Sequence, residues 1–451
     1  MYFDNVDVFN LEQNIDNLDT IYAHTKEGHK EKLKEHVDLT YEYFLKIIKE
    51  KNLDLVFKNI ERRLLKGKNK TTIDIWKELI ANTVYMHDIG KISANFQYRV
   101  MDNERYKDIK QVNSKHSMLS AHIYFDYFLN KISKLEEDSS LLLVFLILNS
   151  YIISKHHSSL ANLSDFKKTF YNEYKNYSKQ RYLYEDYSIN FDIDDLAIES
   201  IFKLVYKTLE EIENSEIWSC IDIYIYTKLL FSLLVTSDFY ATSNYMTGKS
   251  IDDFGTIKDY KKLDSIYKDG KVLKTIYQYK GYLNGEGENP FKENDINLLR
   301  TEIFLEAEKN LIKNKEENIF YLEAPTGSGK TNTSINLAFN LLKENSNINK
   351  IFYVFPFNTL VEQTKESLDE VFENHEDIKN QIAIINSITP IKAEDEEEEN
   401  KEIFINGLSK KIDYEKSLLN RQFLHYPIVL TTHVNFFNYL FGNSRESVFA
   451  L

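Results

Sequence analysis

Residues 323–331, EAPTGSGKT, restrict the fold more than any other stretch of the chain, because such a loop works in one backbone setting only. Gly327, Ser328 and Gly329 let the main chain turn its amides toward an anion, and Lys330 reaches out to further negative charge. Thr331 can hold magnesium while opening a helix whose amino end favours a phosphate. The strict pattern has glycine where Ala324 stands. The loop wants a strand before it and a helix after it. Residues 319–322 read as that strand and an apolar helix is expected from Thr331; a buried strand is expected at 351–355 and further strands at 382–385 and 428–432. This alternation indicates a parallel α/β sheet. The acidic run 392–402 (KAEDEEEENKE) reads as a solvated loop.

The first 250 residues follow another grammar. Apolar residues recur at three and four, and glycine-marked hairpin turns are almost lacking, so this part is expected to be all-α. Residues 31–49 form an amphipathic helix on which Leu33, Val37, Tyr41, Phe44 and Ile48 share a face. His36 lies beside that face, where it either caps the core or joins a site. The basic cluster 61–70 (ERRLLKGKNK) reads as a solvated helix end. A helix from residue 73 runs through His87 and Asp88 and is closed by Gly90, which suits a left-handed cap. Lys91 follows, either to touch a substrate phosphate or to answer the helix dipole.

Residues 114–128 read as a further helix, with Ser114 as cap and His116 in its first turns. His122 falls on the opposite face, so His116 is the candidate. The greasy run 141–153 ends at His156 and His157, two imidazoles at the end of a core helix. Asp238 closes another long apolar helix, where a carboxylate needs a cation or a hydrogen-bond network. Residues 165–184 interleave Lys and Arg with aromatic residues. That pattern suits stacking of single-stranded bases and equally suits a Tyr-rich amphipathic helix. Residues 251–300 weaken in pattern, gather turn formers at 284–290 (NGEGENP) and read as a linker between a helical domain, 1–250, and an α/β domain, 301–451.

Composition narrows the function. Of 451 residues 43% are hydrophobic, enough for real cores, and a net charge of −14 confines any nucleic-acid contact to a patch. The lone Cys220 excludes an internal disulfide, and the acidic start lacks the features of a signal peptide, so a cytoplasmic protein is expected. The run 141–153 is too short to span a membrane, and 217–239 is interrupted by Asp222, Lys228 and Asp238; both read as buried core helices, and no membrane partner is expected.

Neutral imidazoles with carboxylates suit iron, manganese, nickel, cobalt or zinc. Two such ions bridged by one carboxylate clamp the attacking and leaving oxygens of a phosphodiester, and Asp88 is the natural bridge. The chain offers hardly any other titratable base, so the nucleophile is expected to be a water activated by the metals.

The His36 helix, the run 87–91 (HDIGK), His116, His156 with His157, and Asp238, followed by EAPTGSGKT, residues 355–364 (FPFNTLVEQT) and 431–437 (TTHVNFF), resemble the CRISPR-associated nuclease-helicase of type I systems. The resemblance implies an all-α HD-type nuclease domain followed by a partial RecA-like (P-loop) superfamily 2 helicase domain. It implies that His36, His87, Asp88 and Asp238 hold one metal and that Asp88, His116, His156 and His157 hold the other, with His24 and His29 near the first set. It implies a catalytic role for Asp88 and Lys91, single-stranded DNA as substrate, an RNA-guided CRISPR surveillance complex as partner, and ATP with magnesium at 327–331.

The chain ends at Leu451 with no Asp-Glu motif and no second RecA-like domain. A fragment of a larger protein is therefore expected, one that binds nucleotide weakly and neither hydrolyses ATP nor unwinds DNA. Two other functions fit the same residues: an HD phosphohydrolase of small nucleotides with a nucleotide-sensing loop, and a catalytically inactive scaffold that binds DNA or a partner.

Overall fold

The computed structural model describes residues 1–107, 115–135, 137–188, 191, 195–215, 217–385, 420 and 422–442. Ser114 and the acidic run 392–402 lie outside the described residues. The chain divides into two compact units, Met1–Asp252 with Asn438–Leu451, and Asp253–Phe437.

The first unit is a helical bundle, as the periodicity requires. Helices Leu33–Glu50, Lys70–Tyr85, Ser117–Ile132, Ser139–Lys155 and Ile217–Thr247 pack their apolar faces together. Asn69 starts the Lys70–Tyr85 helix by accepting from the Thr72 amide, and Trp76 on that helix packs against Phe145 and Tyr226. Burying Tyr226 and Tyr124 requires partners for their hydroxyls. Asn149 supplies them, accepting from Tyr226 at 2.8 Å and donating to Tyr124 at 3.1 Å. The stretch Cys220–Thr247 is long and apolar enough to cross a bilayer, yet 67% of its most apolar window is buried inside the bundle. It serves as a core helix.

One local feature departs from expectation, and one open alternative is decided. A two-stranded hairpin, β1 (Tyr22–Lys26) and β2 (His29–Lys32), precedes the first long helix, turned by Glu27 and Gly28 at φ +50° and +84°. Positive φ at both central residues is what a two-residue hairpin demands, and Gly28 was its only marker in the sequence. The interleaved stretch after residue 162 forms helix Leu163–Lys179, which buries Phe166, Phe170 and Tyr174. Those rings build core. In the basic cluster 61–70, Arg63 pairs with Asp222 at 2.7 Å and Lys68 with Asp138 at 2.5 Å.

The second unit carries the parallel sheet. Strands β3 (Ile351–Phe355), β4 (Ile382–Ile385) and β5 (Ile428–Thr432) lie in the order β3-β5-β4, all parallel, at the positions the apolar runs indicate. Helices Ile296–Lys313, Lys330–Glu344 and Asn358–Val371 accompany them. Residues 251–300 are not a bare linker. They fold into helices Tyr260–Asp269 and Lys271–Leu283, whose Leu263, Tyr267, Leu273 and Ile276 belong to the same core as β5. Nor do residues 319–322 form a strand. Ile319 and Tyr321 are 73% and 94% exposed, and neither edge strand, β3 or β4, pairs with this segment, so its β-propensity goes unused.

Candidate functional site

The turn after helix Lys70–Tyr85 sets the site. The helix ends at Met86, so His87 and Asp88 stand in a turn that runs into the 3-10 segment Ile89–Ile92. Gly90 is not the left-handed cap its position suggested; it is absent from the positive-φ residues. Its role is close approach. A Cβ there would stand 2.2 Å from the His116 carbonyl oxygen and 2.6 Å from the Ser120 amide nitrogen, and the Gly90 amide donates to Ser120 Oγ at 2.8 Å. The turn that carries Asp88 is thereby pressed onto the start of helix Ser117–Ile132, where His116 is the cap residue.

Asp88 is fully buried, and its two oxygens face different partners. Oδ1 lies 2.9 Å from His116 Nε2 and 3.2 Å from His156 Nε2. Oδ2 lies 3.2 Å from His36 Nε2, 3.5 Å from His87 Nε2 and 2.6 Å from Lys91 Nζ. Asp238, brought by the long helix, adds Oδ1 at 3.3 Å from His36 and 3.6 Å from His87. His157 Nε2 faces His116 Nε2 at 3.0 Å. All seven side chains singled out by sequence as metal ligands thus gather into two groups that share Asp88. Within each group the candidate ligand atoms lie within 4.8 Å of one another.

Backbone contacts fix the imidazole tautomers. His87 Nδ1 donates to the Val84 carbonyl at 2.8 Å and His156 Nδ1 donates to the Ile153 carbonyl at 2.7 Å. Each Nε2 is left with its lone pair aimed into the cluster, the orientation a metal ligand needs. His36 Nε2, His87 Nε2, His156 Nε2 and both Asp88 oxygens are buried without a hydrogen bond of acceptable geometry, although they stand at ion-pair distance from one another. The Asp88 oxygens and the Nε2 lone pairs of His87 and His156 are converging acceptors that do not satisfy one another, which is costly unless a cation lies among them. The residues therefore fit divalent metal ions.

The charges respond accordingly. Burial would raise Asp88, but Lys91, His87 and His116 hold its carboxyl well below the usual range. Burial likewise opposes ionisation of Asp238, and the His36 and His87 rings beside it overcome this and hold its carboxyl well below the usual range. For His36 burial pulls downward, while Asp238 and Asp88 prevail and raise it to about 9. Burial lowers His116 to about 4. His122 stays out of the cluster: its Nε2 donates to the Phe170 carbonyl at 3.0 Å, and burial lowers it to about 3. The second group opens to solvent through a cleft of about 600 Å³ lined by His116, His157, Phe96, Lys155 and Tyr177.

Of the two places open to Lys91, burial speaks against the one in contact with a substrate phosphate. Lys91 is only 3% exposed, held between Asp88 and His24, and is not presented to a phosphate arriving from solvent. Sequence reasoning also missed Glu31, a buried carboxylate 2.7 Å from His24 Nδ1 and 3.5 Å from His36 Nδ1. It becomes visible only once the hairpin pairs residue 24 with residue 31.

In the second unit, Gly327 and Gly329 adopt φ of +78° and +84°, and Gly329 caps helix Lys330–Glu344. Lys330 Nζ donates back across the loop to the carbonyls of Ala324 at 2.7 Å and Pro325 at 2.9 Å. Arg300 Nε donates to the Gly327 carbonyl at 2.8 Å, Ser328 Oγ is buried with no partner, and Thr331 is exposed. A cleft of about 640 Å³ lined by Gly327, Gly329, Arg300 and Phe291 adjoins the loop.

Residues 296–429 match the family model described as the type III restriction enzyme, res subunit. No curated protein sequence matches the chain. Among solved structures it is similar to T. fusca Cas3-AMPPNP, at 12% identity and a TM-score of 0.50, over 97% of this chain and 46% of that one. T. fusca Cas3 gives 13% identity and the same TM-score of 0.50, over 96% and 46%. The chain spans a little under half the length of these structures, and at such identity the likeness speaks for the fold: a helical region bearing a buried His/Asp cluster, followed by the start of a restriction-type helicase domain.

Proposed function

We propose that this chain is the metal-dependent nuclease part, with the beginning of the ATP-driven motor, of a nuclease-helicase that acts on single-stranded DNA in CRISPR type I defence. The observation that carries the reading is the division of labour at Asp88, one oxygen toward His116 and His156 and the other toward His36 and His87. A bridging carboxylate between two ligand sets is the arrangement that two-ion phosphodiester hydrolysis requires. Divalent ions held there would draw charge from a phosphodiester and lower the pKa of the attacking water. His87 and His156, locked through Nδ1 to backbone carbonyls, would hold divalent ions through Nε2. The open side, by His157 and the 600 Å³ cleft, admits the strand. Iron, manganese, nickel and cobalt suit the nitrogen and oxygen donors. Gly327, Ser328, Gly329, Lys330 and Thr331 would take ATP with magnesium.

The test is incubation of the full chain with circular single-stranded DNA and manganese or nickel. Cleavage is expected, and Asp88→Ala is expected to lower it more than about a hundredfold and to reduce bound manganese from about two ions per chain to less than one. Cleavage indifferent to Asp88→Ala removes the reading. Rapid turnover of a mononucleotide or cyclic dinucleotide would favour a small-nucleotide phosphohydrolase instead.

A further inference from the structure

Lys91 is a buried ammonium that shares an oxygen with the first ligand group. Its Nζ is 2.6 Å from Asp88 Oδ2 and 3.1 Å from His24 Nε2. An ammonium has protons to give and none to accept, so His24 must accept at Nε2 and carry its own proton on Nδ1. That proton faces Glu31 Oε2 at 2.7 Å, across the hairpin rung that pairs residues 24 and 31. The same Glu31 oxygen stands 3.5 Å from His36 Nδ1, and His36 Nε2 stands 3.2 Å from Asp88 Oδ2. The contacts close a ring: Asp88, Lys91, His24, Glu31, His36 and back to Asp88.

A divalent ion held by His36, His87, Asp88 and Asp238 would compete with Lys91 for the Asp88 carboxylate, and the two cations would repel. Without a second acceptor, keeping Lys91 buried there would oppose the ion. His24 Nε2 is that acceptor, and Glu31 is what keeps its lone pair turned inward. We propose that His24, oriented by Glu31, is a positioning residue that lets the site hold a divalent ion beside Lys91. The inference rests on the metal-site reading above and adds two residues to it.

The sign pattern of manganese affinities tests it, read by calorimetric titration of the full chain with manganese alone. His24→Ala is expected to weaken binding about tenfold, in the range of outer partners of metal ligands. Lys91→Met removes the competing charge and is expected to bind manganese at least as tightly as wild type. The double variant His24→Ala/Lys91→Met is expected to match Lys91→Met, because His24 has no ammonium left to hold. His24→Gln, whose amide oxygen can accept from Lys91, is expected to recover most of the loss. Thermal melts of each variant without manganese accompany the titrations; a hairpin that merely came loose would weaken binding equally in both lysine backgrounds, and His24→Gln would not recover it. Additive losses, or wild-type affinity in His24→Ala, overturn the inference while leaving the metal site standing. No manganese binding by wild type, or undiminished binding by Asp88→Ala, overturns the metal-site reading itself and this inference with it.

Discussion

His116 caps the helix that carries His122, and the two carry opposite fortunes. His122 is enclosed by Phe170, Tyr174, Tyr177 and Phe191, and that burial holds its pKa near 3 against an ordinary 6.5. Below about pH 6.5 the unfolded chain takes up a proton that the folded chain refuses, so stability falls as pH drops from 6.5 toward 3 and His122 has no effect above that window. At pH 5 the contribution is about 2 kcal/mol. His122→Phe is expected to cost about 1 kcal/mol at pH 7, by leaving the Phe170 carbonyl without its donor. Between pH 7 and pH 5 it should lose about 2 kcal/mol less than wild type, read from urea melts at both values; equal losses would refute the assignment. The six-residue spacing between the two histidines told them apart in sequence, since six helical steps turn the chain by about 120° net and set them on different faces. Glu31 had no such signal. Its neighbours in sequence are Lys30 and Lys32, and only the register of a hairpin brings it to His24 and His36.

At the level of elements, what the sequence discloses depends on whether a pattern is local. Strands β3, β4 and β5 are apolar runs paired in one sheet, β5 buried and its neighbours partly so, and their positions follow from local hydrophobicity. Residues 319–322 have the same composition and stay unpaired although β3 and β4 are edge strands, an outcome no window of sequence contains. Gly90 is the sharper case, since a glycine after a helix reads as a cap and here serves contact with the next helix. Gly90→Ala is expected to destabilise the chain by about 1–3 kcal/mol, because its Cβ meets backbone atoms that belong to a packed helix start. Manganese binding should weaken with it, as Asp88 and His116 are driven apart. Gly67→Ala is the control: at φ +77° with nothing within 4 Å, it is expected to cost about 1–2 kcal/mol of backbone strain and leave manganese binding unchanged. Urea melts and manganese titration of the two variants separate strain from site geometry, and equal manganese binding in both would show that the Gly90 contact does not set the site.

For the whole molecule, the two chemistries are carried by different parts of the chain. The residues of the His/Asp cluster all fall within Met1–Asp252, and the glycine loop falls within Asp253–Phe437. The loop has its positive-φ glycines and its following helix, so backbone amides are available to an anion. Lys330, however, is spent on the carbonyls of Ala324 and Pro325, and must leave both to reach a phosphate. An ammonium that gives up two hydrogen bonds to gain a phosphate contact yields a modest net affinity. ATP with magnesium is therefore expected to bind the chain weakly, read by displacement of a fluorescent analogue. Lys330→Ala should reduce that binding at least about tenfold, the loss of one charge-assisted contact, without changing manganese binding at the Asp88 cluster. Undiminished nucleotide binding by Lys330→Ala would mean that the loop is not where ATP sits, and that the family match over 296–429 reflects the sheet and its helices alone.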